Sequence, residues 1–286
     1  MNQYLLGLYE KGMPGTLTLP EKLEETKAAG FDYMELSIDE TDEKLARLDW
    51  SDMEIHTLHS AMEETGIPIK SICLSGHRRF SLGDPDPAVQ KEGLEIMNKA
   101  ILLAAKLGVR IIQIAGYDVY YSSSNEKTRG DFEKNLVLSV QMAALEGVIL
   151  AFETMETEFI NTVAKAMAWV TAINSPYLQV YPDIGNITNA SLQYGTDVLQ
   201  DMEYGRGHLS AVHLKETRPG IFREIPYGSG HVNFTAAAAK ALQLGVRMFV
   251  GEFWYTGEEN WRELLQKNND FLREELRQAV LVCQQM

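Results

Sequence analysis

Cysteine is nearly absent from this chain of 286 residues: Cys73 and Cys283 are the only two, and they lie far apart. A disulfide framework is excluded, and a reducing cytoplasm is the expected setting. Long apolar runs are also missing. No stretch approaches the roughly 18 apolar residues of a membrane span, and Met1 to Tyr9 shows no basic segment leading into an apolar core, so neither membrane insertion nor a secretion signal is expected. Basic residues are in the minority, 26 against 40 acidic ones for a net charge of −14. A broad nucleic-acid surface requires clustered Lys and Arg, so no nucleic-acid partner is expected. One small anionic ligand is still allowed, because a few local cations and backbone N–H groups suffice for it.

Low-complexity tracts and shifts in composition are lacking as well, which leaves residues 1–286 as a single domain. With 45% hydrophobic residues the chain can build one large core. One unit recurs along it: an apolar, β-rich run, a loop, an amphipathic helix and then a turn. The expected strands are Tyr4–Tyr9, Tyr33–Ile38, Ile69–Leu74, Val109–Ala115, Val148–Glu153, Leu178–Pro182, Leu209–Lys215 and Val246–Phe253. Gly30, Gly66, Gly108, Gly147 and Gly245 precede five of these runs, where glycine ends a helix in the left-handed conformation. Helices are expected from Pro20, over Ala88–Lys106, Phe132–Leu145, Ile160–Ile173 and Phe234–Leu244, and through the charged tail Glu258–Gln285. Eight such alternations in about 280 residues point to a (β/α)8 TIM barrel with a C-terminal helix; a doubly wound open sheet shares the local pattern and is the alternative.

In a barrel of this kind the chemistry sits at the carboxyl ends of the strands. Val148-Ile149-Leu150-Ala151-Phe152 is apolar throughout, yet it ends on Glu153, where an unpaired charge is costly. Asp183, His213 and Glu252 stand at the ends of the next three strands. One imidazole and three carboxylates suit a single divalent ion: zinc, manganese, cobalt or magnesium. Each residue alone reads as a salt bridge or a capped loop; the four together on consecutive strands read as a metal site.

Other strand-end residues are candidates for substrate contact. His77 follows strand 3, with Arg78 and Arg79, adjacent cations that suit a phosphate or polyol. Asn186 lies beyond strand 6, Lys215 ends strand 7, and Trp254 ends strand 8 and offers an aromatic face to a sugar. Arg223 precedes the short glycine pair Gly228-Ser229-Gly230, whose backbone N–H groups are candidates for an anion, since barrels often bind phosphate near strands 7 and 8. His56 and His59 read as an exposed helix face, His208 lies on the wrong side of the barrel, and His231 reads as a loop cap.

Three stretches resemble one known family. Ser71-Ile72-Cys73-Leu74-Ser75-Gly76-His77-Arg78-Arg79-Phe80, Gln179-Val180-Tyr181-Pro182-Asp183-Ile184-Gly185-Asn186 and Val212-His213-Leu214-Lys215-Glu216-Thr217, with Pro226-Tyr227-Gly228-Ser229-Gly230 beyond, are similar to the L-ribulose-5-phosphate (L-xylulose-5-phosphate) 3-epimerases of ascorbate and pentose catabolism. That family lies within the xylose-isomerase-like barrels. The resemblance implies a metal held by Glu153, Asp183, His213 and Glu252, a ketopentose phosphate as substrate, and a homodimer. It also implies proton transfer at C3 by Glu153 and Glu252 as the catalytic pair. The segment after Glu153 carries two further acids, Glu156 and Glu158, as rivals for that role. Lys215, Arg223 or the Gly228–Gly230 loop is expected at the phosphate, with Arg78 and Arg79 as competitors. An epimerase of free ketoses, a dehydratase on the same barrel, an apurinic endonuclease and a non-catalytic sugar-binding protein are the alternatives, although six histidines are few for a polynuclear nuclease site.

Overall fold

All eight expected strands form: β1 Leu5–Tyr9, β2 Tyr33–Ile38, β3 Ile69–Leu74, β4 Ile111–Ala115, β5 Ile149–Glu153, β6 Leu178–Tyr181, β7 Val212–Leu214 and β8 Met248–Gly251. The structure is a computed structural model that describes residues 4–285; residues 1–3 and 286 of the expected domain lie outside the described residues. The strands make one parallel sheet in the order β6-β5-β4-β3-β2-β1-β8-β7. Bridges Val180–Leu209 and Asp183–His213 join its two edges and complete the barrel. The open-sheet alternative is thereby corrected.

Helices separate the strands. After β1 comes α1 (Leu19–Ala28), and after β2 come α2 (Asp42–Leu45) and α3 (Asp52–Thr65). Then α4 (Pro87–Leu107), α5 (Glu126–Glu146) and α6 (Val163–Ile173) follow β3, β4 and β5. The pair α7 (Ile184–Tyr194) and α8 (Val198–Tyr204) follows β6, α9 (Phe234–Gln243) follows β7, and α10 (Trp261–Gln284) closes the chain. Capping decides several boundaries that apolar spacing misplaces. Asn125 accepts hydrogen bonds from the Lys127 and Thr128 N–H groups, so α5 starts a turn and a half before Phe132. Thr162 caps α6, which starts after Ile160. The five glycines named above all have positive φ, from +66° to +93°. Strand 7 is shorter than expected: the Ser210 hydroxyl and N–H both turn to the Val180 carbonyl, leaving Leu209 in a bridge.

Alternation along each strand sorts the side chains into two cores. Leu150, Phe152, Val180, Val212, Leu214 and Phe249 face the helices. Tyr33, Ala151, Tyr181, Ala211 and Val250 fill the barrel interior. Gly7 is needed there because the Tyr33 ring crosses it: a Cβ on Gly7 would lie 2.4 Å from the ring. The Tyr33 hydroxyl donates to the Phe249 carbonyl at 2.9 Å, spanning the lumen.

At the carboxyl end of β1, turned toward the helix layer, Glu10 is completely buried. It meets Arg47 at 2.5 Å, Lys44 at 2.6 Å and Lys22 at 3.1 Å, and accepts from the Ser37 N–H at 2.8 Å. Burial opposes ionisation, but Arg47, Lys22 and Lys44 outweigh it and hold the carboxyl far below the ordinary glutamate range. The folded pKa is therefore depressed, so this contribution is fully present above the unfolded pKa and is lost as pH falls toward the folded one. Glu10→Gln leaves Lys22, 2% exposed, without its counter-charge. The variant should lose about 3–5 kcal/mol of stability at neutral pH, read as a lower denaturation midpoint, and the difference from the parent should shrink under acid.

Candidate metal centre and substrate cavity

Glu153, Asp183, His213 and Glu252 converge, each offering one ligand atom, with all four atoms within 4.8 Å of one another. The alternation that packs Leu150 and Phe152 outward turns Ala151 and Glu153 inward, and the same parity applies on β7 and β8. Asp183 follows β6 and caps α7, its Oδ1 accepting the Asn186 N–H at 2.9 Å. That leaves Oδ2 for the lumen.

The donor set fits a divalent cation. His213 Nδ1 and Glu252 Oε2 are buried and make no hydrogen bond, a costly condition unless something else coordinates them, and Asp183 Oδ2 faces the same centre with Lys215 beside it. His213 Nδ1 lies 3.5 Å from Glu153 Oε1 and 3.3 Å from Glu252 Oε2. Three carboxylates and one imidazole match zinc, manganese, cobalt or magnesium.

A second layer, one residue pair deeper in the barrel, aims these ligands. Glu35 takes His213 Nε2 at 2.6 Å, and its other oxygen accepts from Ser71 at 2.6 Å and Tyr181 at 2.9 Å. This contact places the imidazole proton on Nε2 and frees the Nδ1 lone pair for a metal. Gln113 donates to Glu153 Oε2 in a short hydrogen bond, turning Oε1 toward the centre. Reading strand ends picks up Glu35 and Gln113 but gives neither a role. The signal was available: Glu35 is a charge inside the apolar run Tyr33–Ile38, the same anomaly that marks Glu153.

Lys215 is the single cation within this cluster, 2.5 Å from Asp183 Oδ2 and 3.5 Å from Glu252 Oε2. Burial raises the Glu252 carboxyl, but Lys215 and His213 outweigh it and hold the group well below its usual range. Above the ring lies a cavity lined by Tyr9, Arg78, Glu156, Arg223 and Trp254 together with Glu153 and Glu252. Arg223 meets Glu156 at 2.8 Å across it, and Tyr120 also donates to Glu156. Arg223 lies 5.9 Å from the Trp254 ring centre. Glu158, by contrast, faces outward and accepts from Gln193.

Several residues expected at the substrate have partners within the protein, although Asn186 Oδ1 is buried without one. His77 is buried and faces α4, its Nε2 3.0 Å from the Gly93 carbonyl, and burial pushes its pKa down to about 4. It holds that helix to its loop. Arg79 points to solvent and pairs with Asp42 at 2.7 Å. Asn186 donates to the Thr154 carbonyl at 2.7 Å, bracing the loop after β5. In the Gly228–Gly230 loop the first two N–H groups are already engaged. Gly228 N–H donates to Glu216 Oε2 at 3.0 Å, and the Ser229 N–H and hydroxyl both turn to the Pro226 carbonyl. Gly230 packs so tightly on Thr217 that a Cβ would sit 2.1 Å from its carbonyl oxygen. Glu216, a buried carboxylate, already fills the place an anion would need.

Glu35→Gln should keep the barrel folded while weakening metal retention about 10- to 100-fold. A competition titration against a chromophoric chelator checks this, and unchanged retention would remove the orienting role of Glu35.

Comparison with known proteins agrees with this geometry. The family model described as a xylose isomerase-like TIM barrel matches residues 23–275. The chain is 43% identical over 281 residues to L-ribulose-5-phosphate 3-epimerase UlaE of Salmonella paratyphi C (strain RKS4594), covering 98% of both chains. The same identity and coverage hold for the UlaE of Salmonella choleraesuis (strain SC-B67). Among solved structures, D-psicose 3-epimerase from Clostridium cellulolyticum H10 with D-tagatose shares the fold at a TM-score of 0.78 and 17% identity, over 95% of this chain and 99% of that one. A structure of L-ribulose 3-epimerase does so at 0.76 and 18%, over 98% and 97%. The chain belongs to the L-ribulose-5-phosphate 3-epimerase family, within the xylose isomerase-like TIM barrels.

Proposed function

We propose that this protein interconverts L-ribulose 5-phosphate and L-xylulose 5-phosphate by metal-dependent 3-epimerisation. The observation that carries the reading is the placement of Glu153 and Glu252 on either side of His213 Nδ1 in a buried ring of four ligand atoms. The near-full-length likeness to the curated L-ribulose-5-phosphate 3-epimerases supports it.

Inversion at C3 requires a proton to leave one face and another to arrive on the opposite face. The electrons of the C3–H bond move to C2–C3, giving an enediolate that is then reprotonated at C3. Glu153 stands on β5, and Glu252 follows β8, three strands round the barrel, so the two carboxylates address the substrate from different sides. One accepts the C3 proton and the other delivers one, with the roles exchanging with direction. Glu153, Asp183, His213 and Glu252 would hold a divalent ion, which would supply Lewis-acid stabilisation of the developing negative charge. Gln113 keeps Glu153 turned inward, and Lys215 keeps Glu252 ionised beside the reacting carbons. Trp254 walls the cavity and shields the enediolate from water. Glu156, held by Arg223 and Tyr120, belongs to the cavity wall. Free Cys73 and Cys283 accord with a cytoplasmic setting.

Two outcomes are expected. Glu153→Gln and Glu252→Gln should each reduce exchange of the C3 hydrogen with deuterated solvent by about 10²- to 10⁴-fold; undiminished exchange in both variants would refute the two-carboxylate assignment. Dialysis against a chelator should abolish epimerisation of L-ribulose 5-phosphate, and adding back a divalent ion should restore it.

A further inference from the structure

Lys215 pairs with candidate metal ligands alone. Its ammonium lies 2.5 Å from Asp183 Oδ2 and 3.5 Å from Glu252 Oε2, and among the described residues it makes no other ion pair. The side chain is only 5% exposed, so water does little to screen its charge from the ring. The buried cations elsewhere at this end of the barrel behave differently. Lys22, Lys44 and Arg47 converge on Glu10, a carboxylate with no part in the ring.

Asp183 has no second oxygen with which to separate the two roles. Its Oδ1 accepts the Asn186 N–H, so Oδ2 is the atom left for an ion, and Oδ2 is the atom that Lys215 touches. An ammonium and a metal cation drawn to the same oxygen repel each other. Lys215 therefore opposes the binding that the other residues favour, and stability of the folded chain is not its only effect.

The sum of charges shows what that opposition achieves. Glu153, Asp183 and Glu252 bring three negative charges, and His213, with its proton on Nε2, brings none. Glu35 stands behind the imidazole, outside the ring. Three carboxylates and one ammonium leave a net −2, the charge that a divalent ion cancels. Without Lys215 the ring would stand at −3 and would favour a trivalent ion. In a water-poor interior an uncancelled charge is costly, so this difference decides between ions.

We propose that Lys215 matches the charge of the metal centre to a divalent ion, weakening the binding of all cations and that of trivalent ions most. The inference rests on the metal reading above. Repulsion from the ammonium grows in proportion to the charge of the ion, so the logarithm of the affinity lost should be about 1.5 times larger for a trivalent ion than for a divalent one.

Competition titrations of the chelator-treated full chain against a chromophoric chelator, with Mn²⁺ and with Tb³⁺, test it without reference to turnover. Lys215→Met should bind Mn²⁺ at least about tenfold more tightly than the parent, and the gain for Tb³⁺ should be larger, in the ratio given by the ionic charges. Lys127→Met removes a surface cation paired with Asp131 and makes the same change in net charge; it should leave both affinities at the parent values. Free of metal, Lys215→Met should denature below the parent, because three carboxylates then face one another without a cation, and saturating Mn²⁺ should remove most of the difference. Should Lys215→Met not fold without metal, Lys215→Gln, which keeps a donor without the charge, carries the same comparison. Weaker Mn²⁺ binding in both Lys215 variants would overturn the proposal and make Lys215 an organiser of the ring. Equal gains for the two ions, or the same gains in Lys127→Met, would overturn it as well. A parent that binds Mn²⁺ while the variants bind it equally well refutes this proposal and leaves the metal reading standing; a parent that binds neither ion refutes both.

Discussion

Repulsion among buried carboxylates governs this molecule. Glu153, Asp183 and Glu252 crowd around His213, with Glu35 directly behind it, and Lys215 is the one ammonium among them. At such separations in a water-poor interior, like charges cost several kcal/mol unless a counter-charge intervenes. The barrel makes the arrangement tolerable by distributing contacts: Ser71 and Tyr181 on Glu35, Gln113 on Glu153, and the N-terminus of α7 on Asp183. The balance that these contacts leave unfinished is one that a metal ion could complete.

Glu10 shows the contrast at the same end of the barrel, on the outer face of the sheet. It too is a buried glutamate at a strand end, but three cations and a backbone N–H surround it. Its needs are met within the chain, so it stabilises and nothing more. The ligand ring is undersupplied with positive charge, and the deficit is what gives it a function. Burial of charge does not separate the two sites; the sum of local charge does.

The wall of the cavity follows the same accounting of partners. Glu156 and Arg223 neutralise each other across the mouth, with Tyr120 and Trp254 packed around them. Glu216 is absorbed by the loop it organises, whose backbone N–H groups converge on it. Residues that look alike as a list of polar strand-end side chains thus divide into those satisfied by the protein and those directed to a ligand.

Apolar periodicity and glycine positions in the sequence determined the eight strands, most of the helices and the barrel, because burial on both faces of a parallel sheet imposes continuous β-rich runs and positive-φ glycines end the helices between them. The candidate metal ligands were legible for a related reason: Glu153, Asp183, His213 and Glu252 each close an apolar run, and the topology of a barrel allows their ends only one meeting place. Tertiary structure alone decided which polar residues serve them. Glu35 and Gln113 point inward by strand parity and reach the ligands, Gln113 from the neighbouring strand and Glu35 across the lumen, while His77, Asn186 and Gly228 make hydrogen bonds to Gly93, Thr154 and Glu216. Strand-end position is a one-dimensional property set by the alternation of the chain. Whether a side chain is free or already paired depends on distant partners, such as Glu35 at 178 residues from His213, and only the closed barrel brings those partners within hydrogen-bonding distance.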